Sequence, residues 1–320
     1  MKRKYTMLAV LGVVAVLVMA IFFGLVPRPS SNSGSWILGS TEKGKPTIVV
    51  TYSILGSIVK ELVGDNATVI VSIPAGVSPC EGFDPSARDI EALNKADLIV
   101  QNGLDLEGGM EKALAEAQSN GVKFFTASDY ITVRHVGPGQ GIPSDDPDQA
   151  VGAADPHLWM DPLDMKSAVA GLAVVLQQDL GMNVSSRAQD LENQLDSLNT
   201  EIANEVASIP PEDRCLVTGH ESLGYFAQRY GFKLVGAIIP GLSSQGEVSA
   251  ADMKALEAQI EENNVKAIFT ELGTSPAVAK EIGDDTGVKV VELTTHILPS
   301  DGSYFTLMRN VAGNITDALK

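Results

Sequence analysis

The chain has 320 residues, of which 44% are hydrophobic, and this is enough for one large domain or for two lobes. Its formal net charge is −17 and no basic block follows residue 4, which argues against a protein that binds nucleic acid, because phosphates require a basic surface. Only two cysteines are present, so disulfides do not build the fold.

The N-terminal segment combines basic residues with a long apolar run. Three basic residues at positions 2–4 precede the uncharged run Met7–Val26, which has about the 20 residues that a helix needs to cross a bilayer. A cleaved signal peptide is the alternative, but its apolar core is usually shorter and ends in an A-x-A-like site, which is missing here. We expect residues 1–26 to be a transmembrane anchor or signal, and the Ser-, Gly- and Pro-rich residues 27–46 to be a flexible tether.

This N-terminal interpretation sets the expected location of the protein. Basic residues stay on the cytoplasmic side, so the rest of the chain is expected on the extracytoplasmic face of the cell membrane. If the segment is cleaved, the protein is secreted or periplasmic.

From Thr47 onward, short apolar runs rich in β-branched residues alternate with longer helical patterns, which predicts βαβ units and parallel sheets. Four strands are predicted before the irregular stretch 136–156 and four after it. We therefore expect an α/β protein with two lobes, each a mostly parallel four-stranded sheet flanked by helices. The predicted strands are Thr47–Ser53, Ala67–Ile73, Asp97–Gly103 and Val122–Ser128 in the first lobe, and Cys215–His220, Lys233–Ile239, Val265–Glu271 and Val288–Leu293 in the second.

One long helix is predicted to connect the lobes. Apolar residues recur at spacings of three and four residues from Leu191 to Val206, as on one face of a helix. Ser185 or Ser186 is expected to cap its start and two prolines stop it, which gives a length of about 35 Å at 1.5 Å per residue. The expected parts beyond the tether are an N-terminal lobe at 47–184, the connecting helix at 185–208 and a C-terminal lobe at 209–320.

Side chains that bind transition metals follow the predicted strands. Ligands of open α/β sheets bind beyond the carboxyl ends of the strands. Thiol, imidazole and carboxylate groups occur there, and these are the ligands of a transition-metal site. They are Cys80 and Glu81 after the second strand, His220 after the fifth, Glu271 ending the seventh, Glu292 ending the eighth with His296 just past it, and His157 between two Asp-Pro pairs in a stiff loop before the connecting helix.

Taken alone, each of these residues also has an ordinary structural explanation. Cys80 by itself would usually be a small buried hydrophobe. Glu271 could cap the next helix or hydrogen-bond to a metal ligand without touching the metal. The metal hypothesis therefore depends on His157, His220 and Glu292 occurring together, at positions that the topology brings near one cleft.

Five segments occur in the order of the motifs of a known family. They are ADLIVQNGLDLE (Ala96–Glu107), DPHLWMDP (Asp155–Pro162), VTGHES (Val217–Ser222), IFTELGTSP (Ile268–Pro276) and SYFTLMRN (Ser303–Asn310). From about Thr47 to its C-terminus, the chain resembles the zinc- and manganese-binding receptors of ABC importers, the ZnuA/TroA-like solute-binding proteins. The resemblance implies two metal-receptor lobes bridged by a long helix, with one metal ion in the cleft.

The resemblance also implies a ligand set. His157 takes the place of the family's second ligand and His220 that of the third, while Glu292 falls where the family usually has Asp. The first ligand departs from the pattern, because Cys80 stands where the family commonly has the His of a Pro-His pair. Cys80 or Glu81 ligates in its place, or neither does. His296 and Glu271 are further candidates, as ligands or as supports of ligands.

The function expected from the residues and the resemblance is capture without catalysis. We expect a membrane-tethered, monomeric receptor that binds one divalent transition metal as cargo and passes it to an ABC transporter permease. Zinc is favoured over manganese, because a thiolate and two imidazoles suit zinc whereas manganese prefers oxygen ligands. The alternatives are a metal-dependent hydrolase, a receptor for a metal chelate, and a surface adhesion protein.

Overall fold

The computed structural model describes residues 44–79, 83–137, 151–242 and 248–320. They lie within one compact unit, Thr41–Lys320. The expected anchor and nearly all of the expected tether lie outside the described residues. Among the helices of the described ranges, none is long and apolar enough to span a bilayer.

Two four-stranded sheets, parallel throughout, form the centres of two lobes. The strand order is β2-β1-β3-β4 in the first sheet and β6-β5-β7-β8 in the second, so the two sheets share one topology. This confirms the predicted fold class. The strands are β1 (Thr47–Tyr52), β2 (Thr68–Ile73), β3 (Leu98–Gln101), β4 (Phe124–Thr126), β5 (Cys215–Thr218), β6 (Lys233–Ala237), β7 (Ala267–Thr270) and β8 (Lys289–Glu292).

Helices flank the sheets, and several begin at residues suited to start a helix. Ser86 and Ser249 each form a capping box with an aspartate three residues later, and Asp161 caps a helix whose first residue is Pro162. The α-helices of the described ranges are α1 (Ser53–Val63), α2 (Ala87–Asn94), α3 (Glu111–Ser119), α4 (Pro162–Leu180), α5 (Ser185–Val206), α6 (Gly224–Tyr230), α7 (Ala250–Glu262), α8 (Pro276–Thr286) and α9 (Tyr304–Leu319).

Helix α5, which the sequence predicts to connect the lobes, has 22 residues, or about 33 Å at 1.5 Å per residue. The prediction of its cap was wrong. Val184 occupies the cap position without a side-chain hydrogen bond, because Ser185 is already helical and Asn183 accepts from the Ser185 amide at 3.1 Å and from its hydroxyl at 2.9 Å. The helix packs against α1, α4 and α9. Its buried face consists of Ala188, Leu191, Leu195, Leu198, Ile202 and Val206.

One hydrophobic core runs through both lobes. It includes Val50 of β1, Leu195 of α5 and Phe269 of β7, each fully buried. A smaller cluster, with Val217 and Ile282 among its members, belongs to the second lobe alone. The buried face of helix α5 is therefore part of the shared core.

The strand order also determines where a site can form. Each sheet has a switch point, between β1 and β3 in the first and between β5 and β7 in the second, and ligands bind beyond the carboxyl ends of the strands at such points. Asn102 follows β3, His220 lies two residues beyond β5, and Glu271 follows β7. Strand β8 lies at the edge of its sheet, so Glu292 is one strand away from the switch point.

Candidate metal centre

Three of the four histidines converge in the interior. His157, His220 and His296 are at most 2% exposed, and one nitrogen from each ring lies within 4.8 Å of the other two. The Nε2 atoms of His157 and His220 are 3.3 Å apart. Two nitrogens that bind one tetrahedral zinc ion at about 2.05 Å are separated by about 3.3 Å, so this spacing suits a shared metal ion.

The first ring is held by a carboxylate from its own loop. Asp155 accepts from Nδ1 of His157 at 2.9 Å and from the His157 amide at 3.0 Å, both through Oδ1. Its other oxygen accepts from Arg134 at 2.8 Å. An imidazole that donates from Nδ1 to a carboxylate keeps its Nε2 lone pair for a metal, as metal-binding histidines commonly do. The Asp-x-His spacing in the sequence was the signal for this contact.

The other two rings are held by one buried carboxylate. Oε2 of Glu271 lies 3.2 Å from Nδ1 of His220, close enough for a charge contact although the two atoms are not aligned as a hydrogen bond. Oε1 of Glu271 accepts from the hydroxyls of Ser222 and Thr295, each at 2.5 Å. The Thr295 hydroxyl oxygen lies 2.7 Å from Nδ1 of His296. Nδ1 of His296 is occupied by this contact, and its buried Nε2 has no hydrogen-bond partner among the residues that the structure describes.

The charges of these groups favour a cation. Burial lowers the pKa of His157 and holds that of His296 well below its usual range, so both rings are neutral at neutral pH. Burial raises the pKa of Glu271, but His220, His296 and the Ser222 hydroxyl outweigh it and bring the pKa below its usual range. The neutral imidazoles of His157 and His296 are in the protonation state that metal binding requires.

The structure does not bring Glu292 into this cluster. Glu292 is exposed at the end of the edge strand and lines a cavity of about 520 Å³ on which Thr270 and Lys280 also lie. The chain reaches the switch point only four residues later, at His296. The expectation that Glu292 joins His157 and His220 therefore needs correction. Cys80 and Glu81 lie outside the described residues.

Trp159 lies between His157 and His296 and contacts both rings, a role that was not predicted from the sequence. Its ring centroid lies 5.3 Å from that of His157 and 5.4 Å from that of His296. Its Nε1 donates to the Thr295 carbonyl at 3.0 Å. One indole thus contacts a loop of each lobe. The only signal in the sequence was its position two residues after His157.

A second contact between the lobes lies next to Trp159. Asp161 caps α4 and accepts from Nε of Arg229 on α6 at 2.8 and 2.9 Å, with Nη2 of Arg229 at 2.7 Å. Asp164, in the first turn of α4, lies close to both. Burial and the neighbouring Asp161 raise the pKa of Asp164 to about 7, although Arg229 acts in the opposite direction.

Comparison with known proteins points to one family. Residues 48–318 match the family described as "Zinc-uptake complex component A periplasmic". The chain is 28% identical over 274 residues to the zinc-binding protein TroA of Treponema pallidum, which covers 84% of this chain and 82% of TroA. It is 24% identical over 317 residues to the manganese ABC transporter substrate-binding lipoprotein PsaA of Streptococcus anginosus, with 94% and 97% coverage.

Solved structures give the same fold. The periplasmic zinc-binding protein TroA of Treponema pallidum superposes with a TM-score of 0.72 at 27% identity, covering 86% of this chain and 99% of TroA. The Mn-bound periplasmic metal-binding protein of Candidatus Liberibacter asiaticus has a TM-score of 0.74 at 23% identity, covering 86% and 100%. The resemblance seen in the sequence is confirmed.

The raised pKa of Asp164 predicts a pH effect on stability. Between about pH 4 and 7 the folded state binds a proton that the unfolded chain does not, so this group contributes stability that is lost as pH rises through that window. The amide in Asp164→Asn cannot ionise. We therefore expect the free energy of unfolding of the variant, relative to wild type, to increase from pH 5 to pH 8, as measured by urea unfolding.

The control for this measurement is Asp190→Asn, which neutralises an exposed aspartate on α5. Its stability should run parallel to that of wild type over the same range. Parallel curves for Asp164→Asn would contradict the role assigned to Asp164.

Proposed function

Because the chain belongs to the family of zinc-uptake complex component A proteins, we propose that it captures a divalent transition metal outside the cytoplasm and delivers it to the permease of an ABC importer. The observation that carries this proposal is the buried convergence of His157, His220 and His296. Its relatives TroA and PsaA are, by their names, a zinc-binding protein and a manganese ABC transporter substrate-binding lipoprotein, which supports metal capture. The proposed receptor is a monomer that holds one ion.

The proposed ligands are the Nε2 atoms of the three histidines. His296 takes the place that the sequence analysis gave to Glu292, since His296 lies at the switch point and Glu292 does not. A fourth ligand comes from the loop after β2, from Cys80 or Glu81. Glu271 then stabilises the imidazoles and balances part of the charge of the ion.

Zinc is the proposed cargo, in preference to manganese. Imidazole is a ligand that suits zinc, whereas manganese prefers carboxylate, carbonyl and water oxygens. Three imidazoles, rather than the two expected from the sequence, strengthen this preference. A thiolate from Cys80 would strengthen it further.

Burial of the cluster supports capture rather than catalysis. Three histidines also hold zinc in some enzymes, but a catalytic zinc keeps an open position that water and substrate reach. With His157, His220 and His296 at most 2% exposed, a substrate has little access to the metal. The same burial favours a bare ion over a bulky chelate.

We expect alanine substitution of each clustered histidine to weaken zinc binding at least tenfold, or about 1.4 kcal/mol, because each removes one ligand. Titration calorimetry of the full chain, solubilised in detergent, measures this for His157→Ala, His220→Ala and His296→Ala. His135→Ala is the matched control, because His135 is exposed and outside the cluster. Wild-type affinity in all three cluster variants would disprove the site, and a stoichiometry other than one ion per chain would disprove the single-ion proposal.

The fourth ligand determines how sharply zinc is preferred. If Cys80 binds, Cys80→Ser should cut zinc affinity sharply and leave manganese affinity little changed, because the thiolate is the ligand that suits zinc. Zinc binding at neutral pH should then release a proton from the thiol, which calorimetry in buffers of different ionisation enthalpy detects. A large loss in Glu81→Gln with a silent Cys80→Ser would show that the thiolate is not a ligand.

We also propose that residues 1–26 stay attached and anchor the protein in the membrane. The length of the apolar run and the missing A-x-A-like site support this. N-terminal sequencing of protein extracted from membranes should therefore find the segment in place. A mature start between Ser30 and Ser40 would show that it is cleaved.

A further inference from the structure

Asn102 carries a buried side-chain amide at the switch point of the first sheet, and one of its contacts is with the residue before His157. It is fully buried. Its Nδ2 donates to the carbonyls of Pro156 and Gly103, each at 2.9 Å, and its Oδ1 accepts from the Tyr52 hydroxyl at 2.9 Å. Because carbonyl oxygens only accept, the amide has one orientation that satisfies all three contacts.

The contact with Pro156 fixes the peptide that leads into His157. The Pro156 carbonyl and the His157 amide belong to the same planar unit. Asn102 holds the oxygen of this unit, and Asp155 holds its N–H at 3.0 Å. The peptide plane is thus held at both ends. The Leu158 amide also donates to the Pro156 carbonyl, at 2.9 Å. Together these contacts orient the backbone from which the His157 side chain leaves.

The contact with Tyr52 reaches the cluster by a second route. The Tyr52 ring lies 5.5 Å from the ring of Trp159, centroid to centroid. Trp159 in turn contacts the rings of His157 and His296. The side-chain amide of Asn102 thus contacts the loop that carries His157, through Pro156, and the aromatic side chains packed against the histidines, through Tyr52.

Asn102 itself is held by a strained turn. Gly103, Leu104 and Asp105 all have positive φ, at 83°, 59° and 58°. Two consecutive non-glycine residues in this region cost free energy and persist only where the surroundings enforce them. The buried Glu107 does so, since it accepts from the Asn102 amide at 2.6 Å.

A second strand also donates to the Glu107 carboxylate. The Thr51 hydroxyl of β1 donates to the same carboxylate oxygen at 2.7 Å. Glu107 therefore joins the carboxyl ends of β1 and β3, the two strands that border the switch point. The turn carrying Asn102 is fixed to the sheet at this position.

We propose that Asn102 is a positioning residue for metal capture, whose side-chain amide orients His157 by holding the Pro156 carbonyl while the Tyr52 hydroxyl holds the amide. This role rests on the proposed function, because it requires His157 to be a ligand. Asn102 does not touch the metal in this proposal. Its effect passes through the peptide before His157.

Two variants separate this role from simple packing. Asn102→Asp keeps the size and the acceptor for Tyr52 but places an oxygen against the Pro156 carbonyl, and we expect the Kd for zinc to rise at least tenfold. Tyr52→Phe removes only the hydroxyl that holds the amide, and we expect a rise of about threefold. Gln101→Glu is the matched control, an amide-to-acid change on the adjacent residue, whose side chain contacts Thr126 and not the histidine loop.

A readout without metal distinguishes this role from the proposed function. Proton–nitrogen NMR of the histidine rings in the metal-free full chain should show shifted Nδ1 and Nε2 resonances for His157 in Asn102→Asp, with those of His135 unchanged. If wild type fails to bind zinc, the proposed function fails, while a shift confined to His157 and its cluster partners still supports the positioning of the ring.

The positioning role is overturned if the His157 resonances of Asn102→Asp stay at their wild-type positions. Weaker zinc binding would then come from a general loss of stability and not from a changed His157 ring. Where Asn102→Asp does not fold, as judged by circular dichroism, Tyr52→Phe decides. Wild-type zinc affinity and wild-type His157 resonances in Tyr52→Phe then overturn the proposal.

Discussion

The carboxylate of Glu271, buried beside two imidazoles, is the constraint on which the candidate site depends. A buried charge costs several kcal/mol unless it is paired and hydrogen-bonded. Glu271 lies in the loop after β7. The hydroxyls that donate to it belong to Ser222, in the loop after β5, and Thr295, in the loop after β8. Hydrogen-bonding this one carboxylate therefore brings three loops together. His220 and His296 converge because their loops satisfy this carboxylate. The same contacts that satisfy the carboxylate therefore bring these two imidazoles together.

The two carboxylates of the site are compensated differently. Asp155 is paired with the buried Arg134, and Tyr225 of α6 donates to its backbone carbonyl at 3.0 Å while accepting from the Arg134 amide at the same distance. These contacts join the lobes with no net charge left over. Glu271 is hydrogen-bonded by hydroxyls, and its nearest basic partners are imidazoles. The proposed divalent cation would add positive charge beside Glu271.

The sequence predicted the architecture well because the alternation of apolar runs and helical patterns requires parallel sheets, and the switch-point rule then placed His220 and Glu271. His157 was also identified, from its two flanking Asp-Pro pairs. The position of His296 beside the other two histidines, with Glu292 outside the cluster, was not predictable, because only the strand order shows that β8 is an edge strand. Asn102 and Thr295 were not predictable, since each acts through a contact between segments far apart in sequence. Cys80 and Glu81 stay predictions.

The shared core limits how the proposed metal ion could leave the site. Because α5 is buried in one core with both sheets, the lobes cannot part without exposing apolar surface, which costs about 25 cal/mol per Å². Loops with fewer buried contacts open at far lower cost than the core does. The residence time of an ion would then be a property of local loop opening and not of the global stability of the protein. A docking partner that loosened one ligand loop would act as a release catalyst while leaving the rest of the receptor folded.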